Sequence, residues 1–481
     1  MNRRRVMIMK KNKWTKRLVI GMAFLMVMVV PGLEAQFLED ALRLDYGMLG
    51  SGARSLSMGT AYLAVADDFS ATFYNPAGLA QIRDFEIAGG LRHTTFRNNA
   101  SHLGNITEGR GSSTNLDNLG IVIPVPTVQG SLTFAIGYNR VNDFTQISMF
   151  EGFNENDSII PDLFYSRDRM SYMLDLADST GVPFYTRNLQ QEGTLEEFGS
   201  INNWSFSGGI EAVPNFFVGT TLNLISGNYR HTFLFEEIDV LGIYDTFPDD
   251  LHRLLVEDQI DARISGFNAI FGGLYSIDDF IKVGGTIQTP TRYSIEEDYS
   301  SFGRSEFSAP GDYLEDEIEA FIDYDVRTPW KFSAGASLSM TGLTVAASVE
   351  YQDWTQLEFR NAPSEILSIN RDIRETLEPT TNIQAGAEID FPLIPLSVRG
   401  GYIYQPSPYK NTPSELDREY ITGGVGFTLQ DAISLDLAFM YGMWESDLFI
   451  YEYPANGFWN PRFVEEDITK RSVVFSFRYK F

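Results

Sequence analysis

Cysteine is missing from all 481 residues. Its absence excludes disulfides, thiolate metal sites, a Cys nucleophile and a lipid-anchored N-terminal Cys. Histidine is scarce: His93, His102, His231 and His252 are the four, with no two at ligand spacing, so no His-built metal centre is expected. None of the four sits in a recognisable catalytic group, no ATP motif is visible, and neither an enzyme nor a bound cofactor is expected. Basic side chains are outnumbered 37 to 64, and the formal charge of −27 excludes nucleic acid as a partner, because phosphates demand a basic face. Beyond residue 35 there is no apolar run of 18, so no membrane-crossing helix is expected.

Aromatic residues, by contrast, are abundant at 14% (36 Phe, 23 Tyr, 6 Trp), rich for a soluble enzyme. The chain opens on an address. Arg3, Arg4, Arg5, Lys10, Lys11, Lys13, Lys16 and Arg17 precede the apolar run Leu18 to Val30, then Pro31 and the small-residue exit Leu33-Glu34-Ala35. This is the order of a secretory signal over residues 1–35, with Met9 an equally good start. A retained inner-membrane anchor is the alternative, although 13 apolar residues are short for a bilayer. Cleavage before Gln36 removes eight basic and one acidic residue, leaving 29 and 63, a mature charge of −34.

From about residue 84 the pattern has period two, the mark of a strand with two unlike faces. Val473, Phe475, Phe477, Tyr479 and Phe481 make an apolar face, against Ser472, Val474, Ser476, Arg478 and Lys480. Ile433, Leu435, Leu437 and Phe439 repeat it against Ser434, Asp436 and Ala438, as do Leu343, Val345, Ala347 and Val349. Fourteen strands are expected: 84–97, 116–123, 130–141, 203–212, 216–236, 257–276, 280–297, 318–340, 343–359, 380–390, 396–405, 419–429, 432–450 and 470–481. The gaps alternate between tight turns, such as Gln430–Asp431, and long segments at 98–115, 142–202, 237–256, 298–317, 360–379, 406–418 and 451–469.

Short and long connections in strict alternation predict an all-β fold: a transmembrane antiparallel up-and-down β-barrel over 84–481, with long external loops. A soluble sandwich or propeller explains neither the signal nor the aromatic face. Lipid requires the barrel to close, because an open edge leaves backbone groups unpaired. The expected location is the bacterial outer membrane, in contact with its lipid, with both barrel termini periplasmic. The acidic excess is expected to fall largely in the long loops: Glu151, Glu155 and Asp157; Glu296, Glu297 and Asp298; Asp312, Glu315, Asp316 and Glu317; Glu465, Glu466 and Asp467. They read as a solvated face or as a cation bridge to anionic lipid.

Residues 36–83 do not alternate and are rich in Gly, Ala and Ser. Gly50-Ser51-Gly52 has no strand before it and no third Gly, so it is not a dinucleotide loop. Asn75-Pro76 reads as a helix cap followed by Pro at the first helical position. The segment is expected either to fold into the barrel as a plug or to pack beneath it. Gly130 and Gly137, with Pro124 and Pro126 next door, could permit a kink and a breach in the wall, or serve ordinary turns.

Gly52-Ala-Arg-Ser-Leu-Ser-Met-Gly59, Ala64-Val-Ala-Asp-Asp68 and Tyr74-Asn-Pro-Ala-Gly-Leu-Ala80 resemble the N-terminal signature of the FadL-type outer-membrane transporters, with the PorV-type secretion proteins as relatives. Thr328-Pro-Trp-Lys-Phe-Ser-Ala-Gly335, Val349-Glu-Tyr-Gln-Asp-Trp354 and Arg399-Gly-Gly-Tyr-Ile-Tyr404 are also similar. The resemblance implies fourteen strands plugged by an N-terminal hatch, whose Asn-Pro-Ala motif falls on Asn75, Pro76 and Ala77. It further implies passive uptake of a hydrophobic small molecule, such as a long-chain fatty acid or hydrocarbon, with sideways exit. The chain departs from that family in its long segment 142–202 and its acidity, and no basic pair stands out for a carboxylate.

Two loops carry apolar side chains that suit a ligand groove. In the first, Leu163 and Phe164 precede Met170, Met173, Leu174 and Ala177 at helical spacing. In the second, Leu251, Leu254 and Leu255 follow Pro248-Asp249-Asp250, which reads as a helix start. They form either a greasy groove or two loop helices packed on each other. A PorV-like barrel holding a protein partner at its external loops is the alternative function, and a water-filled porin a further one.

Overall fold

The alternation closes on itself. The computed structural model describes residues 38–245, 250–278, 280–308, 311–455 and 457–481; the expected signal segment, residues 36–37 and Pro248-Asp249 lie outside them. Fourteen strands follow one another: β1 Glu86–His102, β2 Asn105–Val125, β3 Leu132–Asp143 continued by Gln146–Asn154, β4 Leu189–Val213, β5 Phe216–Ile238 and β6 Leu251–Ser276. Next come β7 Ile281–Gln288 continued by Arg292–Phe307, β8 Tyr313–Arg327 continued by Lys331–Met340, and β9 Leu343–Asp353 continued by Glu358–Arg360. The last five are β10 Pro379–Asp390, β11 Leu396–Gln405, β12 Arg418–Leu429, β13 Ile433–Ala455 and β14 Phe458–Lys480.

Every neighbouring pair is antiparallel, and β14 returns to β1 in register from Glu86↔Lys480 to Ser101↔Glu465. The first and last strands therefore pair with each other, and neither is left as a free edge for lipid to desolvate. Phe481 N donates to Phe85 O at 3.0 Å, so the barrel begins and ends on the same rim, the one that carries the tight turns.

One band of the outer surface is apolar on strand after strand. Leu437 and Phe439 of β13 point outward, about half exposed, while the alternate residues Ala438 and Met440 are fully buried inside. Trp204, Phe267, Trp330 and Tyr351 mark one edge of the belt; Phe216, Tyr275, Phe391 and Phe481 mark the other. Rings at both edges are what a membrane-spanning barrel needs at its two water interfaces.

The strands run well past this belt, which corrects the expected long loops. Residues 98–115 are the tops of β1 and β2 joined at Leu103-Gly104; 451–469 are the tops of β13 and β14. From Glu445 to Ala455, β13 adds roughly 30 Å of wall at about 3.3 Å per residue. Past the belt the outward positions turn polar, as in His93, Thr95 and Arg97 of β1. With both faces polar the period-two signal fades, and strand reads as loop. Glu296, Glu297, Asp298, Glu315, Asp316, Glu317, Glu465, Glu466 and Asp467 therefore sit on strands, not in loops. Within the expected loop 142–202, residues 146–154 and 189–202 are strand as well.

Candidate functional site

The bore is filled by the small-residue segment 38–83. Gly52 N donates to Asp117 of β2 at 2.7 Å, Ala53 N to Ser476 of β14 at 2.9 Å, and Gly59 N to Thr422 of β12 at 3.0 Å. On other sides, Ser131 just before β3, Thr221 of β5 and Ser337 of β8 donate to the carbonyls of Ala80, Thr72 and Ala64. Side-chain acceptors and donors of the wall thus satisfy a backbone that has little regular structure of its own. The approach is close because the wall lacks side chains there: a Cβ at Gly386 or Gly401 would collide with Met58 or Gly59.

Asn75 is fully buried and caps a short 3-10 helix, Pro76–Gln81, with its Oδ1 accepting from Ala77 N at 3.1 Å. Its Nδ2 donates to Leu63 O at 3.0 Å and to Gly273 O of β6 at 3.2 Å. Pro76 and Ala77 lie against Gly219 and Gly272, where a methyl group would strike them or Asn75 itself. The Asn75-Pro76-Ala77 turn is wedged into the wall by these glycines.

Charge ties the same segment down on the far side. Arg54 donates to both oxygens of Glu388 of β10, at 3.0 and 2.9 Å, to Tyr62 OH at 3.0 Å and to Asp67 at 2.5 Å. Arg399 of β11 shares Glu388 and donates to Asp436 of β13 at 2.6 Å. No sequence motif announces this group, but Glu388, Arg399 and Asp436 all occupy the inward, polar phase of their strands.

At the segment's outer side its own Leu38 and Leu42 join Phe144, Ile225, Tyr229, Ile260, Tyr293 and Trp354 of the wall in a buried apolar layer. A cationic side chain stands near it. Lys470 of β14 lies three residues past the belt and keeps partial exposure inside the bore. Burial, with repulsion from Arg418, Arg92 and Arg140, pushes its ammonium down to about 8 against the pull of Asp143. Arg418 stacks over Tyr46 and Trp444 with its Cζ 4.3 and 4.8 Å from the ring centroids. Sequence reasoning missed Lys470, although it shares the even, inward phase of Ser472, Ser476 and Arg478.

The expected groove residues divide. Leu163, Met170, Leu174, Leu251 and Leu254 come together in one buried cluster with Phe233, Phe235, Val256, Ile450 and Val464 on the inner face of the raised wall. Phe164 lies at its edge, Met173 is 55% exposed, and Leu255 is half-buried on the opposite face of β6 from Leu254. Two short helices, Ile160–Tyr165 and Met170–Met173, supply the first loop. The second loop is not a helix: Leu251 to Ser276 is strand from its first residue. A bulge between Leu251 and Arg253 gives Leu251 and Leu254 the same inward direction at an odd spacing, which imitates helical periodicity.

This roof is pinned by charges. Arg167 donates to Asp162 at 2.6 Å and to Asp258 of β6 at 2.8 Å. Glu237 of β5, fully buried, accepts from Ser158 Oγ at 2.6 Å, Ile159 N at 3.1 Å and Gln191 Nε2 at 2.7 Å. Burial outweighs those bonds and raises its carboxyl to about 7.

One side of the wall has a seam. β2 and β3 pair only from Asn118↔Asn139 to Val125↔Leu132. Beyond that, β2 pairs with β1, and residues 146–154 of β3 pair with β4. At the break Phe144 turns into the apolar layer, edge-on to Tyr229 at 5.3 Å. Asp143 bridges the gap, accepting from Ser113 and Asn115 of β2 at 3.0 Å each and from Arg140 at 3.2 Å. Burial opposes its charge, but Lys470, Thr145 and Arg140 hold the carboxyl below the usual range. The Gly and Pro residues flagged from the sequence serve other ends: Gly137 makes room for Phe69, Gly130 takes a positive φ in a turn, and Pro124 stays paired with Thr133.

A closed barrel with an apolar belt, aromatic edges and a filled bore is the architecture of a bacterial outer-membrane protein. Solved structures of that kind share the fold. A Pseudomonas aeruginosa FadL homologue is 14% identical with a TM-score of 0.57, over 90% of this chain and 99% of that one. The Pseudomonas putida toluene transporter TodX is 13% identical with a TM-score of 0.54, over 90% and 99%. The Ralstonia pickettii toluene transporter TbuX is 15% identical with a TM-score of 0.51, over 91% and 100%. No protein-family model matches the chain, and no curated protein matches it in sequence.

Proposed function

We propose that this barrel is an outer-membrane channel for passive uptake of hydrophobic compounds, with long-chain fatty acids and hydrocarbons as the cargo class. The observation that carries the reading is the buried apolar layer that the start of the segment 38–83 forms with the wall, flanked by Lys470 and adjoining the β2–β3 seam. Apolar cargo gains roughly 0.8 kcal/mol per methylene on leaving water, and Lys470 with Arg418 favours an acyl chain that ends in a carboxylate. Cargo is captured at the roof, where Leu163, Met170 and Leu174 meet Leu251 and Leu254, with Phe164 at the edge and Met173 exposed beside them. Residues 36–83 act as the hatch, with the Asn75 turn holding it shut. The toluene transporters TodX and TbuX, which share the fold, support the same cargo class.

Liposomes carrying the purified protein test this with labelled oleate and labelled toluene. Uptake of one or both above that of an unrelated barrel is expected; equal uptake removes the transport claim.

A further inference from the structure

The wall has a second irregularity, on the side away from the seam. β8 and β9 pair from Lys331↔Gln352 to Met340↔Leu343, and again from Asp325↔Arg360 to Arg327↔Glu358. Between them lie Thr328–Trp330 on one strand and Asp353–Leu357 on the other, the latter coiled into a 3-10 turn at Trp354–Gln356. The mismatch leaves a notch of about 250 Å³ lined by Arg327, Thr328, Thr355, Gln356, Leu357, Glu358 and Arg374.

Its level is fixed by its neighbours. Trp330 and Tyr351, both outward and exposed, are the belt's edge on these strands. Val326 and Phe359 point into the core, so Arg327 and Glu358 face out. Arg374 reaches the notch from the helix Ser364–Thr376, whose Ile366 and Ile373 are buried beside Leu357.

The charges there are anomalous for a chain at −27. Among the described residues, neither the Arg327 nor the Arg374 guanidinium pairs with a carboxylate, and Glu358 is taken by Arg360 at 2.7 Å. Arg327 also stands directly opposite Arg292 of β7, whose guanidinium lies over Phe267 on the belt edge. Like charges in direct cross-strand register are destabilising unless an anion stands between them.

We propose that this notch binds the net-anionic, phosphate-bearing headgroup of a membrane lipid in the outer leaflet. Arg327 and Arg374 grip the phosphate, Gln356 hydrogen-bonds beside them, and the acyl chains lie along Trp330 and Tyr351. Guanidinium suits this task because its planar fork matches two phosphate oxygens at once. The site stands whether or not the bore transports anything.

The test uses the full protein in neutral detergent and native mass spectrometry, with dihexanoyl phosphatidic acid, dihexanoyl phosphatidylcholine and inorganic phosphate as probes. Phosphatidic acid should be retained at least tenfold better than phosphatidylcholine. Arg327→Gln and Arg374→Gln should each lower retention at least fivefold, while Arg263→Gln, on an exposed arginine paired with Glu296, should not. Equal retention of both lipids, or full retention by the double variant, overturns the proposal. Complete displacement by equimolar inorganic phosphate overturns the lipid assignment in favour of a free-ion site. Heat-shifted gel mobility reports folding; if Arg327→Gln fails it, Arg374→Gln on the exposed helix face carries the test.

Discussion

Arg54→Ala isolates the charge that holds the lumenal segment against the wall. A buried ion pair broken from one side typically costs 3–5 kcal/mol, because the partner is left charged and unpaired. Two features reduce that here. Glu388 keeps Arg399, and the Asp67 side chain is 41% exposed, so water recovers part of its loss. Tyr62 OH still donates to Asp68 at 2.8 Å, so it is not orphaned either. About 2 kcal/mol remains, and at about 1.4 kcal/mol per decade that is roughly a thirtyfold rise in the population of a locally detached segment. Hydrogen exchange by mass spectrometry on the detergent-solubilised protein reads it directly. The amides of residues 52–59 should exchange roughly thirtyfold faster, while the belt strands keep their protection. Less than a threefold change would show that the glycine-fitted packing, not the ion pair, retains the segment.

Three further outcomes follow from the same geometry. Glu237 is raised from an ordinary 4.5 to about 7 in the folded protein, so roof docking is strongest below about pH 4.5 and loses roughly 3 kcal/mol as pH rises to about 7. Limited proteolysis of residues 155–185 should therefore accelerate over that window and be flat in Glu237→Gln. Gly386→Val drives a side chain into the Met58 carbonyl and should expel residues 53–59 without opening the ring. Planar-bilayer conductance should rise above wild type while heat-shifted gel mobility stays normal. Lys470 loses its charge near pH 8, so oleate binding, followed by isothermal calorimetry, should weaken at least fivefold between pH 7 and pH 9. In Lys470→Gln the pH dependence should vanish, and toluene binding should be unaffected by either change.

The belt was legible because its strands have one face in hydrocarbon and one in the bore, which forces alternation on sequences such as 433–443. The same rule hid the strand tops: Asn105 to Thr114 has polar residues on both faces and no period to detect. The lumenal segment announced itself by what it lacks, since a backbone pressed against a closed ring favours Gly, Ala and Ser, and its larger Phe69 fits only over the wall glycines Gly120 and Gly137. Its ion pairs were invisible, because Arg54 and Glu388 are 334 residues apart and only the ring brings them together. The roof was half legible. Met170 and Leu174 do share a helical face, but the bulge at Leu251 gave a strand the spacing of a helix. The seam left its signal in Phe144, an aromatic residue beside Asp143 where the alternation of β3 breaks.

The proposed cargo has two ways out of the apolar layer, and their costs differ. Straight down the bore, the segment must give up its bonds to Asp117, Ser131, Thr221, Ser337, Thr422 and Ser476, together with the Arg54 pair. At about 1 kcal/mol net for each bond, plus about 2 kcal/mol for Arg54, the cost is on the order of 8 kcal/mol before any apolar surface is uncovered. Sideways, the seam requires Asp143 to release Ser113 and Asn115 and Ile147 to lift off Gly111, on the order of 3 kcal/mol. A difference of about 5 kcal/mol is more than a thousandfold in population, so the wall should open long before the bore does. The carboxylate of a fatty acid would strengthen this bias, because it competes with Asp143 for Lys470 and Arg140. Asp143→Ala should therefore speed oleate release from liposome-reconstituted protein, whereas Arg54→Ala should leave it unchanged. The reverse order, with release faster in Arg54→Ala alone, would mean that cargo travels down the bore and that the seam is only a packing defect.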